Sequence, residues 1–400
     1  MVEREPASLD ARIRDEIERH GPIEFARFME RALTEPEIGY YAGESVRAGR
    51  GGDFLTAPEL HPLLGSALAR LATAAWERLD RPAPFRWIEY GAGAGALVAA
   101  AIDQLERDKT PLRAALEVAA VEVNPHRRTE LAARLAARGV PLVSGPVAHA
   151  TPPAAAGIVV ANEYLDALPF HIVVGRPASP LGFAERRVGV DAATGALAWV
   201  EVPPDPRLAP LFAARLAQGA PLVEGQLAEI CLAADAWAAG LPGVVSRGLV
   251  AVLDYGHPAP LLRAAATRMA GTALAYQGHR ATGDLLGEPG GRDLTAHVDL
   301  TALRAAAQGA GLTPVAATTQ AALLAGVGLD DELDRLRRGP EATLEGALAL
   351  RAALAHLMDP RRMGGFAVEL FAIGSATDRE RLADPAAPLP GAAAPNRRLV

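Results

Sequence analysis

Residues 85–96 read FRWIEYGAGAGA, and this stretch decides the fold class. The run Phe85–Tyr90 predicts a short buried strand, and the glycines of Gly91–Gly95 predict a tight turn that a ligand can approach closely. The residues that follow, as far as Leu105, predict a helix, whose first backbone N–H groups can meet the polar end of a ligand. A strand, a glycine turn and a helix in this order predict the nucleotide-binding crevice of a doubly wound α/β sheet.

The same alternation of strands and helices continues along the chain. The sequence predicts strands at 116–123, 141–144, 157–162 and 249–254 and a last strand at 366–373, with helices at 125–138, 227–239, 301–308 and 329–338. Strands that alternate with helices favour a parallel sheet with helices on both faces.

Three regions depart from this alternation. Residues 1–80 predict an N-terminal helical cap, which contains a long glycine- and proline-rich loop at 35–59. Residues 170–222 predict a β insertion and a linker after the fourth strand, within a main α/β domain at 81–378. Residues 379–400 are rich in proline and alanine and predict a flexible tail.

The composition excludes several classes of protein. Forty Lys and Arg residues against 47 Asp and Glu residues give a net charge of −7, which argues against a general binder of nucleic-acid backbones. A single cysteine, Cys231, excludes a disulfide framework and a cysteine-based zinc site. The longest uncharged apolar runs have the length of a strand, and the N-terminus carries acids. We therefore expect no membrane span, no secretion signal and a cytoplasmic location.

The glycine turn is compatible with two cofactors, because Gly91, Gly93 and Ala96 also fit the relaxed dinucleotide fingerprint. Two acids favour S-adenosylmethionine over NAD. Glu89 lies two residues before the first glycine, where its carboxylate could bind the ammonium group of the cofactor. Glu122 closes the second strand, where a carboxylate can accept both ribose hydroxyls, although dinucleotide folds use that position too. An NAD-dependent oxidoreductase stays an alternative, and so does a turn that only packs a strand on a helix.

Residues 161–169, which read ANEYLDALP, place polar side chains directly after a buried strand. Such side chains point into the crevice at the carboxyl edge of the sheet. Methyl transfer is an in-line displacement at the carbon bound to a sulfonium, so the nucleophile must be held close and aligned. We therefore predict that Glu163 and Asp166 orient a guanidinium or an amine and accept its proton. The alternatives are a helix N-terminal acid for Glu163 and a turn former for Asp166.

His297 is a third catalytic candidate, in a polar segment after the fifth strand. Its spacing from Asp299 superficially resembles a metal site, but the sequence assembles no set of three or four converging ligands, so we expect no metal. A histidine that only hydrogen-bonds locally is the alternative interpretation.

With these residues, the chain resembles the MidA-like family of class I methyltransferases. The similarity extends over most of the chain, and the order and spacing of its short motifs are specific. The motifs are GPI at 21–23, GYY at 39–41, GDFLTAPE at 52–59, the glycine turn, NEYLDALP at 162–169, DYG at 254–256, DLTAHVD at 293–299 and TQA at 319–321.

The resemblance implies a Rossmann-like S-adenosylmethionine-dependent methyltransferase with a helical cap. The donor site that it implies comprises Glu89, Gly91, Gly93, Gly95 and Glu122, to which we add Asn162 at the end of the fourth strand. It also implies that the loop at 53–59 closes over the donor, with Asp53, Thr56 and Glu59 as polar contacts. A structural loop packed on Phe54 is the alternative.

The resemblance and the two acids favour a nitrogen nucleophile, such as a protein arginine, as the methyl acceptor. The chain departs from the family pattern at residues 275–286 and 363–368, which bears on the acceptor half of the site. A small-molecule O- or N-methyltransferase is one alternative, and a non-catalytic assembly factor that still binds the donor is another. The expected partners are the methyl acceptor and a second copy of the chain in a homodimer.

Overall fold

The computed structural model describes residues 8–43, 57–143, 153–278, 280–339 and 343–392. The strands are β1 (Ile23–Glu24), β2 (Phe85–Tyr90), β3 (Leu116–Val121), β4 (Gly157–Asn162), β5 (His171–Gly175), β6 (Phe183–Val190), β7 (Leu197–Val202), β8 (Leu227–Ile230), β9 (Gly248–Asp254), β10 (Gly256–His257), β11 (Leu274–Gln277), β12 (Arg280–Thr282), β13 (Asp293–Thr295), β14 (Val298–Asp299), β15 (Thr313–Thr319) and β16 (Ala367–Ile373). The helices are α1 (Leu9–His20), α2 (Phe25–Thr34), α3 (Ala57–Leu60), α4 (Leu63–Arg78), α5 (Ala96–Arg107), α6 (Leu112–Ala115), α7 (Pro125–Ala136), α8 (Ala209–Leu216), α9 (Leu232–Gly240), α10 (Ala259–Leu262), α11 (Leu300–Gly309), α12 (Gln320–Gly326), α13 (Leu329–Arg338), α14 (Leu344–Leu357) and α15 (Ala376–Leu382).

These elements form two compact units, of which one carries the glycine turn. This sheet unit comprises the described residues within 55–165, 237–256 and 304–400. Its sheet has the strand order β15-β16-β9-β4-β2-β3. The strands β9, β4, β2 and β3 are parallel, whereas β16 and β15 are antiparallel to their neighbours. The predicted doubly wound α/β class is confirmed, and two antiparallel strands are added at one edge.

Helix α4 belongs to the core of the sheet unit. It is apolar or small on nearly all sides, which is typical of a buried helix. Leu64 and Leu68 are buried in the same cluster as Trp87 of β2. Gly65 allows close contact with α5, because a Cβ at this position would lie 2.6 Å from the Cβ of Ala100. The structure therefore divides the predicted cap at 1–80, since α4 packs with the sheet.

The insertion unit comprises the described residues within 1–54, 166–236 and 257–303. Its antiparallel sheet has the order β1-β6-β5-β8, and β7 also pairs with β6. Strands β5, β6 and β7 occur where the sequence predicts the β insertion.

Aromatic residues form the core of the insertion unit. Phe25 and Phe28 of α2 are fully buried, and the ring of Phe25 lies 5.2 Å from that of Phe170, between centroids. Aliphatic residues, among them Ile13 of α1 and Val188 of β6, belong to the same cluster. Helices α1 and α2, which lie in the predicted helical cap, thus bury their apolar faces.

Several predicted elements differ from the observed ones. The helix predicted at 227–239 is strand β8 followed by helix α9, because β8 completes the antiparallel sheet beside β5. The predicted linker contains α8, and the predicted strand at 141–144 is reduced to a bridge between Val118 and Leu142. The tail predicted to be flexible from Arg379 is ordered as far as described, since α15 extends to Leu382 and Leu389 is buried.

Candidate active site

The glycine turn in the sheet unit joins β2 to α5. Gly91, Gly93 and Gly95 all have left-handed backbone conformations, with φ angles of 67°, 54° and 81°. Gly95 is the N-cap of α5, and a Cβ there would lie 2.3 Å from Cδ1 of Leu131. A side chain is therefore excluded at Gly95 by both the backbone conformation and the space available.

The backbone amides of this turn are largely engaged within the protein. Gly91 and Ala92 both donate to the carbonyl oxygen of Val121, and Gly95 donates to that of Ala92. Gly93 donates to Oε2 of Glu122 at 2.8 Å. The turn is thus tied to the end of β3, and four of its five amides donate to acceptors of the protein itself.

Glu122 follows β3 and is held by backbone contacts on both carboxylate oxygens. Oε2 accepts from Gly93 and Oε1 accepts from the amide of Asn124, each at 2.8 Å. A carboxylate has about four lone-pair positions, so both oxygens can still accept a further hydrogen bond. This oriented acid is suited to bind a pair of ligand hydroxyls.

Glu89 is a buried acid on β2, with 3% of its surface exposed. Its Oε2 accepts a hydrogen bond of 2.9 Å from the indole Nε1 of Trp87. The pKa of Glu89 is raised to about 8, chiefly by burial. The hydrogen bond from Trp87 lowers this pKa by a smaller amount, and the negative charge of Glu122 raises it. A bound cation would stabilise the ionised form, so this carboxyl group is suited to an ammonium ligand.

Asn162 is the last residue of strand β4, and Glu163 follows it. Glu163 has a left-handed backbone, with φ at 48°, an uncommon conformation for a residue with a side chain. Its Oε1 accepts from the backbone amide of Ala57 and from Nδ2 of Asn162, each at 3.3 Å. The carboxylate is therefore oriented by the backbone at the start of α3 and by the side-chain amide of Asn162.

Asp254, at the end of β9, fixes the turn that follows Glu163. It is 1% exposed, and its Oδ2 accepts from the amides of Tyr164 and Leu165 at 3.2 and 2.9 Å. Its Oδ1 accepts from the amide of Tyr255. These contacts show that Asp254 satisfies backbone N–H groups of the turn.

A cluster of three aromatic rings, Tyr90, Tyr164 and Trp237, lies beside the glycine turn. The ring centroids of Tyr90 lie 5.4 Å from Tyr164 and 5.6 Å from Trp237, and those of Tyr164 and Trp237 lie 6.5 Å apart. A Cβ on Gly91 would lie 3.2 Å from Cδ2 of Tyr164. Sequence reasoning missed this cluster. Tyr164 stands within the motif at 162–169, but no local signal points to Trp237.

Asp166 lies in the insertion unit and is buried there. Its carbonyl oxygen accepts a hydrogen bond of 3.0 Å from the amide of Ala296, the neighbour of His297. Asp293 accepts from the hydroxyl of Tyr41 at 2.6 Å. Burial raises the pKa of Tyr41, and the charges of Asp293 and Asp166 raise it further. The insertion unit thus brings two of the predicted catalytic residues near each other, whereas Glu163 belongs to the sheet unit.

His297 is a weak base in this environment. Burial lowers its pKa to about 4, and the positive charges of Arg268 and His257 lower it further. Its ring centroid lies 5.5 Å from that of His257. The imidazole is consequently neutral at physiological pH and has little tendency to take a proton, so its predicted catalytic role gains no support from its surroundings.

The remaining predicted residues, Asp53, Thr56 and Glu59, belong to the segment 53–59 that the sequence predicts to be a loop. Asp53 and Thr56 fall outside the described residues, and Glu59 lies in α3. Within the described ranges, no group of three His, Cys, Asp or Glu side chains could hold a metal ion. In the same part of the chain, no helix has the length and apolar character needed to cross a bilayer.

Comparison with known proteins decides between the cofactors that fit the turn. Residues 67–318 match a family described as S-adenosyl-L-methionine-dependent methyltransferase. The chain belongs to this family. The match spans the glycine turn, Glu122 and the end of β4, and it settles the ambiguity between the methyl donor and NAD. The protein is an S-adenosylmethionine-dependent methyltransferase, as the resemblance implies.

Similar proteins have been solved and named. A protein from Burkholderia thailandensis, described as a likely methyl transferase and solved with S-adenosylhomocysteine bound, is 34% identical with a TM-score of 0.77, over 93% of this chain and 94% of that one. The Drosophila melanogaster protein arginine methyltransferase NDUFAF7 homolog, mitochondrial, is 27% identical over 89% of this chain and 83% of its own. The Mus musculus protein arginine methyltransferase NDUFAF7, mitochondrial, is 28% identical over 87% and 80%. The Drosophila and mouse relatives are named as mitochondrial, so they do not support the expected cytoplasmic location, which stays a prediction.

The described residues fit the donor. Glu122 matches its two ribose hydroxyls, and Glu89 is a buried acid whose ionisation a cationic ligand favours. The Oδ1 atom of Asn162 is buried and lacks a hydrogen-bond partner in the described part of the chain, so it can accept from an ammonium group. These three side chains would hold the ribose and the amino-acid end of S-adenosylmethionine.

Proposed function

We propose that this methyltransferase acts on a guanidino nitrogen of an arginine side chain in a protein. The observation that carries the proposal is the carboxylate of Glu163, which is oriented at the carboxyl edge of the sheet by Ala57 and Asn162. Relatives of this chain at about 27% identity are named protein arginine methyltransferases. Both observations favour a cationic nitrogen acceptor over a neutral hydroxyl.

The chemistry of arginine requires such a carboxylate. When bound, S-adenosylmethionine supplies an electrophilic methyl group on a sulfonium sulfur. The guanidinium is protonated at all accessible pH values, and the attacking nitrogen must release one proton as it gains the methyl group, because the product keeps a single positive charge. Glu163 can accept hydrogen bonds from two N–H groups of the planar guanidinium, align the nitrogen and accept that proton. A lysine ammonium offers no comparable planar fork.

The substitution Glu163→Gln tests this role. It keeps the size of the side chain and an oxygen that can accept from Ala57, but it removes the negative charge. We expect turnover on arginine-containing protein substrates to fall at least about a hundredfold, while the Kd of S-adenosylhomocysteine changes less than about threefold. Glu224→Gln, at an exposed residue of the insertion unit, is the matched control and should behave as wild type.

The identity of the product decides between the proposal and its alternatives. Cell extract and labelled donor should yield protein that releases ω-N-methylated arginine on hydrolysis. Label found only in methylated lysine or in a small molecule would overturn the arginine assignment. Tight donor binding without any labelled product would favour an assembly factor that has lost transfer.

A further inference from the structure

A buried hydrogen-bond donor in the sheet unit has no acceptor. The indole Nε1 of Trp237 is excluded from solvent and has no hydrogen-bond partner within the described residues. Buried N–H groups of folded proteins are nearly always paired, so an orphaned one beside a binding site indicates a missing acceptor. The ring itself packs on Tyr90 in an edge arrangement, with an interplanar angle of 86°.

The position of Trp237 connects this donor to the methyl-donor site. Its neighbour Tyr90 stands between Glu89 and Gly91 in the chain, and its other neighbour, Tyr164, covers Gly91. Tyr90 belongs to the face of β2 opposite Glu89, because side chains alternate along a strand. The end of β2 therefore carries a buried acid on one face and an indole N–H on the other.

Four of the five amides of the glycine turn, residues 91–95, are not available to a ligand carboxylate. The amides of Gly91, Ala92, Gly93 and Gly95 donate to acceptors of the protein itself. S-Adenosylmethionine carries a carboxylate next to its ammonium group, and a carboxylate removed from water needs N–H partners. The indole N–H of Trp237 is such a partner.

Two cationic ligands could lie against these rings, the sulfonium of the methyl donor and the guanidinium of the acceptor. The orphaned atom distinguishes them. A guanidinium has only donors and cannot accept from Nε1, whereas the carboxylate of the methyl donor can. The complementary orphaned acceptor, Oδ1 of Asn162, fits the ammonium group of the same amino-acid end.

We propose that Trp237 is a donor-binding residue whose Nε1 holds the carboxylate of S-adenosylmethionine. Tyr90, Tyr164 and Trp237 form the aromatic wall of this carboxylate subsite on one face of β2. The amino-acid end of the donor would lie across the end of the strand, with its ammonium group towards Asn162 and Glu89 on the other face. The subsite would select donors that carry both charges over analogues that lack the carboxylate.

The test compares two ligands that differ only in the carboxylate. Isothermal titration measures the Kd of S-adenosylmethionine and of decarboxylated S-adenosylmethionine for wild type and for Trp237→Phe, which keeps an aromatic ring and removes the N–H. We expect the substitution to weaken S-adenosylmethionine binding about tenfold or more and to change the Kd of the decarboxylated ligand less than about twofold. Trp76→Phe is the control, because it removes an indole N–H that donates to the carbonyl of Pro82.

The proposal is overturned if Trp237→Phe weakens the binding of both ligands equally, or if it weakens the binding of neither. If Trp237→Phe does not fold, the indole ¹⁵N–H signals of the wild type, assigned from single Trp→Phe variants at the other positions, give the answer. The Trp237 signal should move downfield with S-adenosylmethionine and stay in place with the decarboxylated ligand, and identical shifts with both would also refute it. Because only donor binding is measured, the result is independent of whether arginine is the acceptor.

Discussion

Substituting Glu89 by glutamine should weaken donor binding and should also remove a pH-dependent loss of stability from the ligand-free protein. Burial raises the pKa of Glu89 from 4.5 to about 8, so the folded state binds this proton more tightly than the unfolded state does. The resulting stabilisation is fully present below pH 4.5, the pKa of Glu89 in the unfolded chain. It is lost as the pH rises through about 8, the pKa of Glu89 in the folded protein. Linkage with these values gives a loss of about 1 kcal/mol by pH 5 and about 3 kcal/mol by pH 7. The introduced glutamine has no such proton to lose and keeps an oxygen that can accept from Trp87.

The assay is urea unfolding of both proteins at pH 5, 6 and 7, with and without S-adenosylhomocysteine. Without ligand, the free energy of unfolding of wild type should fall by about 2.5 kcal/mol relative to the variant between pH 5 and pH 7. With ligand, wild type should regain stability at pH 7, whereas the variant should gain little because it cannot pair with the ammonium group. Parallel pH profiles for the two proteins would show that Glu89 is not a buried acid with a raised pKa, and the reasoning would fail.

Two further substitutions test the turn itself. Glu122→Ala removes the acceptor for the ribose hydroxyls and for the amides of Gly93 and Asn124. We expect calorimetry to show S-adenosylhomocysteine binding weakened by about tenfold or more. An unchanged Kd would refute the ribose role of Glu122. Gly95→Ala puts a Cβ 2.3 Å from Leu131 in a left-handed backbone; we expect unfolding to become easier by about 1–3 kcal/mol, and an unaltered urea midpoint would contradict the strain.

The sequence predicted best those elements whose signal is local. Strands β2 and β4 have the predicted bounds, because each combines β-forming residues with glycine, proline or polar residues at its ends. Strand β15 and helix α14 were not predicted. Strand β15 is rich in alanine and threonine and helix α14 in alanine and leucine, and neither pattern strongly favours one type of element. Strand β15 is stabilised by pairing with β16, about fifty residues further along the chain.

The candidate donor site could be predicted from the sequence, because it needs one contiguous strand, turn and helix and an acid at the end of the next strand; its individual residues stay predictions. Family membership could be anticipated from the order and spacing of short motifs along the chain. Only the tertiary structure decided that Trp237 meets Tyr90 and Tyr164, and that Ala57 donates to Glu163. Those contacts join segments separated by up to about 150 residues, and no periodicity encodes which distant side chains will meet. The raised pKa of Glu89 likewise arises from burial, since the same acid in an extended chain would stay fully hydrated.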